Sequence, residues 1–530
     1  MGNINSVSDI IRVHGVERSE RTALVQGDRR VTWADLYRRS RQMANLLAAH
    51  GVGPQDHVAF LDKNGVEHFE VFYGAALLNA ICVDISWRLA ASEVEYIVND
   101  AQSKVLVVGK EFMPILDAIA ANLTSVTKIL VIGGATTSAE STYADYEAEV
   151  SAQPDNDPEI TSTVDDVAFQ LYSSGTTGRP KGVMLTNANF FGLLPLAKEI
   201  WELTPESVNL VALPLFHIGG GGWAVAGQYE GATSIILREL DPAALIRLIG
   251  EERITHGFVV PAVLQFVLMV PGADEADYSS LEVLVYGASP ISEDVLARSV
   301  KVFGCKFWQA YGLTETTGAV VNLPPHDHDP EGPNRHRLRS CGLPGPGVEL
   351  RIIDPDSTDG EPRDCDTGEV GEIWIRSAQV MKGYWNMPEE TDKAITHDGW
   401  FKSGDIGYLD ADGYLYIHDR LKDMIVSGGE NVYPAEVENV LMSHPAIADV
   451  AVIGVPHERW GETAKAVVVL KPGVKASEQE IIEFAREHLA RFKCPTSVDW
   501  VEALPRNPSG KILKKDLRAP YWEGRTRNVN

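Results

Sequence analysis

The run Leu171-Tyr172-Ser173-Ser174-Gly175-Thr176-Thr177-Gly178-Arg179-Pro180-Lys181-Gly182 combines small hydroxyl residues, glycines and a lysine. Glycine lets backbone N–H groups approach an anion closely. Ser and Thr add donors, and Lys181 adds a positive point charge. That chemistry suits a polyphosphate. A strand over 167–171 is expected to enter this loop and a helix to follow from Thr186. The order differs from GxxxxGK[ST], so this is not a Walker A loop. Composition alone equally allows a plain surface loop.

Other residues could complete a nucleotide site. Tyr311 offers a flat ring on which adenine can stack, although alone it reads as a core tyrosine at a strand end. Gly287-Ala288-Ser289-Pro290 follows an expected strand and leaves room for a purine edge, or is simply a tight turn. Glu315 is a hard oxygen ligand between two hydroxyl residues. Asp405 is a bidentate hydrogen-bond acceptor. Lys511 sits in a Pro/Gly/Ser loop, and a long flexible cation there can reach another domain's site. His326-Asp327-His328-Asp329 and His336 look like metal ligands but lie among Pro and Gly, and are read as a solvated loop. The four glycines Gly219–Gly222, before Trp223, imply close backbone approach or a gap left for a ligand.

The elements that must hold these residues alternate short apolar runs with helical patterns. Asp241-Pro242 opens a helix through Arg253. Val259-Val260 and Leu281–Val285 read as buried strands. Ser292 caps a helix through Val302, and Phe307–Tyr311 is again strand-like. This alternation predicts layered α/β sheets. The texture changes after about Ala378. Beyond the charged segment Asp419–Asp423 come a helix over Pro434–Leu441, strands over Val450–Val455 and Ala464–Leu470, and a helix opened by the capping box Ser477–Glu480. The expected organisation is a large N-terminal layered α/β domain, 1–421, and a small α+β domain, 422–530.

The chain has 530 residues and a net charge of −27. Such acidity argues against sequence-independent nucleic-acid binding. Five scattered cysteines without CxxC spacing argue against a disulfide scaffold or zinc site and suit a reducing compartment. No stretch reads as a membrane span: Val71–Val83 is too short, and Leu210–Gly227 is broken by Pro214, His217 and glycines. No signal peptide or peroxisomal tag is read at the ends. The Met1–Ser6 match to the myristoylation pattern is read as coincidence.

The hydroxyl–glycine string resembles the signature of the adenylate-forming superfamily, which includes acyl-CoA synthetases, adenylation domains and luciferases. Ser173 stands at the usual Thr place. Tyr311-Gly312-Leu313-Thr314-Glu315-Thr316, Gly399–Asp405, Asp419–Asp423 with Gly428–Asn431, and Pro505–Lys511 resemble its further motifs in the expected order. The resemblance implies ATP held by Ser173, Ser174, Gly175, Thr176, Thr177, Gly178, Lys181, Gly287, Ala288, Ser289, Tyr311, Gly312, Thr314, Asp405 and Arg420. It implies Mg2+ on Glu315, phosphate contacts from Thr314 or Thr176, and a hinge at Lys422 that makes the small α+β domain, 422–530, mobile. Lys511 would bridge the substrate carboxylate and the α-phosphate. Catalysis is assigned to Lys511, Thr176 and Glu315. Gly428, Gly429 and Glu430 would line the CoA thiol entry. His217 resembles an acyl-site gate. Gly221, Trp223, Val260 and Tyr286 are nominated with it, and core packing is an equal reading for each apolar member.

The expected activity is an ATP-dependent acid–CoA ligase working through an acyl-adenylate. The resemblance is closest to soluble bacterial fatty-acyl-CoA synthetases, which favours a medium- or long-chain fatty acid. Aryl or polycyclic acids, and transfer to a carrier protein, are the alternatives; a non-catalytic binder has no support in the charged residues present. Expected partners are the carboxylic acid, ATP and CoA, with no nucleic acid and no integral membrane segment. A homodimer is admitted, and the cytoplasm is the expected location.

Overall fold

The computed structural model describes residues 4–134, 143–173, 180–289, 291–355, 357, 362–420, 423–427, 430–458, 460–506 and 512–523, without the side chains at 419, 420, 430 and 431. Ser174 to Gly178, Lys422, Gly428, Gly429 and Lys511 therefore lie outside the described residues.

Two large mixed sheets dominate. The nine-stranded sheet runs Leu343–Pro344, Gly318–Leu323, Lys306–Leu313, Val283–Gly287, His256–Val259, Val208–Val211, Thr233–Ile236, Thr22–Gln26 and Arg29–Thr32. The eight-stranded sheet runs Gly383–Tyr384, Lys181–Thr186, Val167–Ser173, Ile81–Asp84, His57–Leu61, Val105–Gly109, Lys128–Ile132 and Tyr143–Asp145. Interior strands such as His57–Leu61 and Val283–Gly287 are buried at every residue, as parallel strands covered on both faces must be.

The largest apolar cluster fills the space between these sheets. It joins Phe169 of one to Val285 of the other through Trp223, Phe69 and Phe72. The helix Val66–Leu77 lies within it, and all twelve of its residues except Glu67 are buried. A helix buried on nearly every side belongs in a core, which accounts for the apolar run near Val71; its buried polar members are paired, Glu70 with Arg39 and His68 with Asp84. A second cluster covers the far face of the nine-stranded sheet and a third the far face of the eight-stranded one. The result is the expected multidomain α/β architecture.

Local capping agrees with the sequence. Asp241 accepts from Ala243 N and Ala244 N to open Pro242–Glu251. Ser292 accepts from Val295 N to open Glu293–Phe303. Ser477 and Glu480 form the capping box of Glu478–His488. A four-stranded antiparallel sheet, Glu349–Ile353, Gly371–Arg376, Phe401–Leu409 and Leu415–Arg420, precedes the C-terminal part. From Ile425 onward a further sheet, built on Ile447–His457 and Gly461–Leu470, has its own core around Val450, Ala466 and Ile481. Among the described residues, no helix is long and apolar enough to cross a membrane.

Candidate active site

The anion loop departs from the expected strand–loop–helix order. Val167–Ser173 and Lys181–Thr186 pair antiparallel, with Ser173 opposite Lys181 and Tyr172 opposite Gly182. The loop therefore connects two strands paired with each other. The helix Asn187–Phe191 starts where expected, capped by Thr186, and the strand Lys181–Thr186 is the unexpected element before it. Lys181, the first residue of the second strand, is the described cation next to this loop.

Glu315 is the meeting point of this region. It sits in the one-turn helix Thr314–Thr316. Ser173 Oγ donates to its Oε1 at 3.2 Å and the Tyr384 hydroxyl donates to the same oxygen at 3.1 Å. Both hydrogen bonds made to this carboxylate by the described side chains fall on Oε1, leaving Oε2 as the oxygen suited to a cation. Thr317, just after it, holds the left-handed region at φ +54 and is pinned by Thr317 Oγ1 donating to Gln379 O at 2.6 Å. A non-glycine residue there stores roughly 1 kcal/mol or more. Among the described residues no group of three metal-ligating side chains forms. One carboxylate plus phosphate oxygens is a sufficient magnesium site, so Glu315 fits that ion.

Lys181 is almost buried. It forms an ion pair with Glu390, and its Nζ lies 4.8 Å from the Tyr384 ring centroid. Lys393 holds the other Glu390 oxygen at 2.8 Å. The Lys181 contact, with Lys393 behind it, lowers the Glu390 carboxyl to about 2.

The second centre joins Tyr311 and Asp405. The Tyr311 hydroxyl donates to Asp405 Oδ2 at 2.8 Å, and both residues are buried. Burial, then the neighbouring carboxylate, raises the phenol well above its ordinary value. Ser403 Oγ accepts from Asp405 N at 3.1 Å. Asp405 lies opposite Arg420 in the strand pairing. Gly287 and Gly312 are required by backbone approach: a Cβ would lie 2.1 Å from Ala310 O and 1.8 Å from Gly318 O respectively. Ala288 is exposed at φ +65, Ser289 half-buried beside it.

Three of the five nominated acyl-pocket residues, Trp223, Tyr286 and Val260, divide between the faces of the nine-stranded sheet. Trp223 belongs to the cluster between the sheets, and its Nε1 donates to Leu210 O at 3.1 Å. Tyr286 and Val260 pack in the cluster on the opposite face. Tyr286 is fully buried there, 3.1 Å from His328 Nε2. His217 caps the helix Ile218–Glu230, its Nδ1 accepting from Gly219 N at 3.2 Å. The glycine run is a close approach and not a gap: a Cβ on Gly220 would lie 2.1 Å from Pro214 O, and one on Gly221 would lie 2.8 Å from Leu215 O.

The histidine-rich segment is only in part the expected solvated loop: His326, Asp329 and His336 are exposed, while Asp327 and His328 are not. Asp327 is buried, with Arg337 at 3.0 Å and the Tyr414 hydroxyl at 2.7 Å. His328 is buried and accordingly held down at about 4. These groups are consumed in packing.

Sequence reasoning missed Tyr384 and Glu390. The Gly383-Tyr384-Trp385 aromatic run ahead of Pro388, with two carboxylates opening a helix, was the available signal. Nothing local tied it to Lys181. Arg420 and Glu430 are described only through their backbones, in Leu415–Arg420 and Glu430–Val432.

The family model "AMP-binding enzyme" matches residues 12–385, and the "AMP-binding enzyme C-terminal domain" matches 436–511. The chain is 38% identical over 524 residues to the fatty acid–[acyl-carrier-protein] ligase ScoC of Streptomyces coeruleorubidus, covering 98% of this chain and 96% of that one. It is 38% identical over 497 residues to the long-chain-fatty-acid–CoA ligase FadD13 of Mycobacterium tuberculosis, covering 93% and 94%. The anthranilate CoA ligase AuaEII, solved with anthranoyl-AMP, superposes with a TM-score of 0.89 at 28% identity over 97% of both chains. With both family models matched in order and relatives aligned end to end, this chain belongs to the AMP-binding enzymes, the adenylate-forming superfamily of AMP-forming acid ligases.

Proposed function

We propose that this enzyme is an ATP-dependent acid–CoA ligase for a medium- or long-chain fatty acid. The observation that carries the nucleotide reading is the convergence of Ser173, Tyr384 and Glu315 beside the Lys181 turn. The apolar acid is favoured by the fatty-acid relatives and by the absence of an Asp or Glu among the nominated acyl residues.

In the first step a carboxylate oxygen attacks the α-phosphorus of ATP. The bond from that phosphorus to the bridging oxygen breaks, and pyrophosphate leaves. Lys181, Thr314 and the 173–178 turn hold the phosphates. Tyr311 takes the adenine face, with Gly287, Ala288 and Ser289 at its edge. Asp405 and Arg420 hold the ribose. Magnesium, held by Glu315, would neutralise phosphate charge. Lys511 bridges the carboxylate and α-phosphate. We place the acyl group on the sheet face carrying His217, Gly221 and Trp223, away from Val260 and Tyr286.

In the second step the CoA sulfur attacks the acyl carbon, its proton passes to solvent, and AMP leaves with the electrons of the broken C–O bond. Lys511 must withdraw for the thiol to enter, which calls for rotation of residues 422–530 about Lys422. Gly428, Gly429 and Glu430 would then line the thiol path. All five cysteines are unpaired, which supports a reducing, cytoplasmic setting.

The test is AMP and pyrophosphate release across fatty, aryl and polycyclic acids, with CoA or a holo-carrier protein as acceptor. AMP release with a fatty acid and CoA supports the proposal. The AuaEII likeness favours an aryl acid as the second reading, and the ScoC likeness favours a carrier acceptor. No adenylate from any acid would refute all three.

A further inference from the structure

Lys181 is the one described cation of the anion turn, and it is already engaged. Its ammonium is almost buried, lies over the Tyr384 ring and is paired with Glu390. Glu390 belongs to a different element, the helix Pro388–Ala394. Its side chain is 25% exposed while that of Lys181 is 9% exposed, so the carboxylate faces the wetter side of the pair. A buried ammonium stripped of its counter-ion is strongly unfavourable. Lys181 therefore needs an anion in every state of the site.

We propose that Glu390 is the stand-in anion for Lys181, surrendering it when a polyphosphate enters and reclaiming it as pyrophosphate leaves; this rests on the nucleotide reading of the same turn. A polyphosphate carries several charges against one on the carboxylate, so it wins the ammonium when bound. On departure the product must leave a cation behind in a poorly solvated place. Glu390 makes that step easier by taking the cation back. Lys393, exposed and bonded to the second Glu390 oxygen, tempers the grip. Glu390 is thus a positioning residue that acts through Lys181 and tunes product release.

The test is calorimetric titration of magnesium pyrophosphate into the full-length protein, with product inhibition measured alongside. Glu390→Gln leaves Lys181 without its resident anion, so pyrophosphate should bind about tenfold tighter and inhibit at correspondingly lower concentration. Glu390→Asp should recover part of the wild-type value. If Glu390→Gln folds poorly, Lys393→Gln gives a reading of opposite sign: Glu390 then serves Lys181 alone, and pyrophosphate should bind about twofold weaker. Wild-type pyrophosphate affinity in both Gln variants would overturn the proposal and leave Glu390 as a pin between helix and hairpin. If the wild-type protein binds neither ATP nor pyrophosphate, the nucleotide reading itself falls.

Discussion

Tyr311 and Asp405, 94 residues apart, meet through a 2.8 Å hydrogen bond from the phenol to the carboxylate in a buried setting. The bond ties the end of the strand Lys306–Leu313 to the strand Phe401–Leu409, and so links two different sheets. A residue proposed to stack on adenine and one proposed to hold ribose are fixed relative to each other before any ligand arrives.

Tyr311→Phe keeps the ring and removes that donor. Loss of a buried hydrogen bond to a charged group should destabilise the fold by about 1–3 kcal/mol. Asp405 would be less well oriented, so the ATP KM should rise about tenfold while the KM for the acid stays put. Denaturant unfolding and initial-rate kinetics check the two parts separately. An unchanged ATP KM would remove the ribose role of Asp405.

Lys511→Ala addresses the two half-reactions. Adenylate formation should fall by roughly 10²–10³, the usual loss for a group stabilising developing charge. Thioester formation from supplied acyl-adenylate should stay within about twofold, since the proposed mechanism takes Lys511 out of the site in that step. Equal loss in both steps would rule out the swinging-domain account.

The glycine run gives a graded steric prediction. Gly220→Ala sets a methyl 2.1 Å from the Pro214 carbonyl, which is backbone and cannot swing aside. A stability loss of about 3 kcal/mol follows. Gly222→Ala meets only the Ile218 Cδ1 end at 3.1 Å, inside a helix where Ala is favoured over Gly by about 0.5–1 kcal/mol. That variant should be neutral or slightly stabilised. Thermal melts of the two proteins decide it, and equal melting temperatures would contradict the packing described.

Three buried imidazoles set an acid limit. Burial holds His57, His256 and His328 down at about 4 each, against an ordinary 6.5. Between those values the unfolded chain binds protons that the folded chain refuses. Stability is therefore full above about pH 6.5 and falls as pH drops towards 4, by about 1.4 kcal/mol per pH unit for each group. Melting temperature measured from pH 7 to 4.5 should drop steeply, and His328→Gln should shallow the slope. A flat profile in wild type would show that these histidines protonate without penalty.

Much of the architecture was legible because its signals are local. Asp241, Ser292 and Ser477 announce their helices, since a capping side chain acts within three residues of itself. Two members of the histidine-rich segment were misread for the complementary reason. Asp327 and His328 look like solvated loop residues until Tyr414, Arg337 and Tyr286 arrive from elsewhere in the chain.

The sequence by itself determined the family, through hydroxyl, glycine and charged residues whose identity and order survive without coordinates, and it named Lys181, Glu315, Tyr311 and Asp405 as the groups to watch. Tertiary structure decided who faces whom. Strand alternation sends Tyr286 to one face of its sheet and Val285 to the other, so Tyr286 and Trp223 part company although both looked like pocket residues. Sheet order brings Glu390 to Lys181 across 209 residues, a pairing that no local pattern encodes because it depends on the hairpin, the neighbouring strand Gly383–Tyr384 and the helix after it being assembled together.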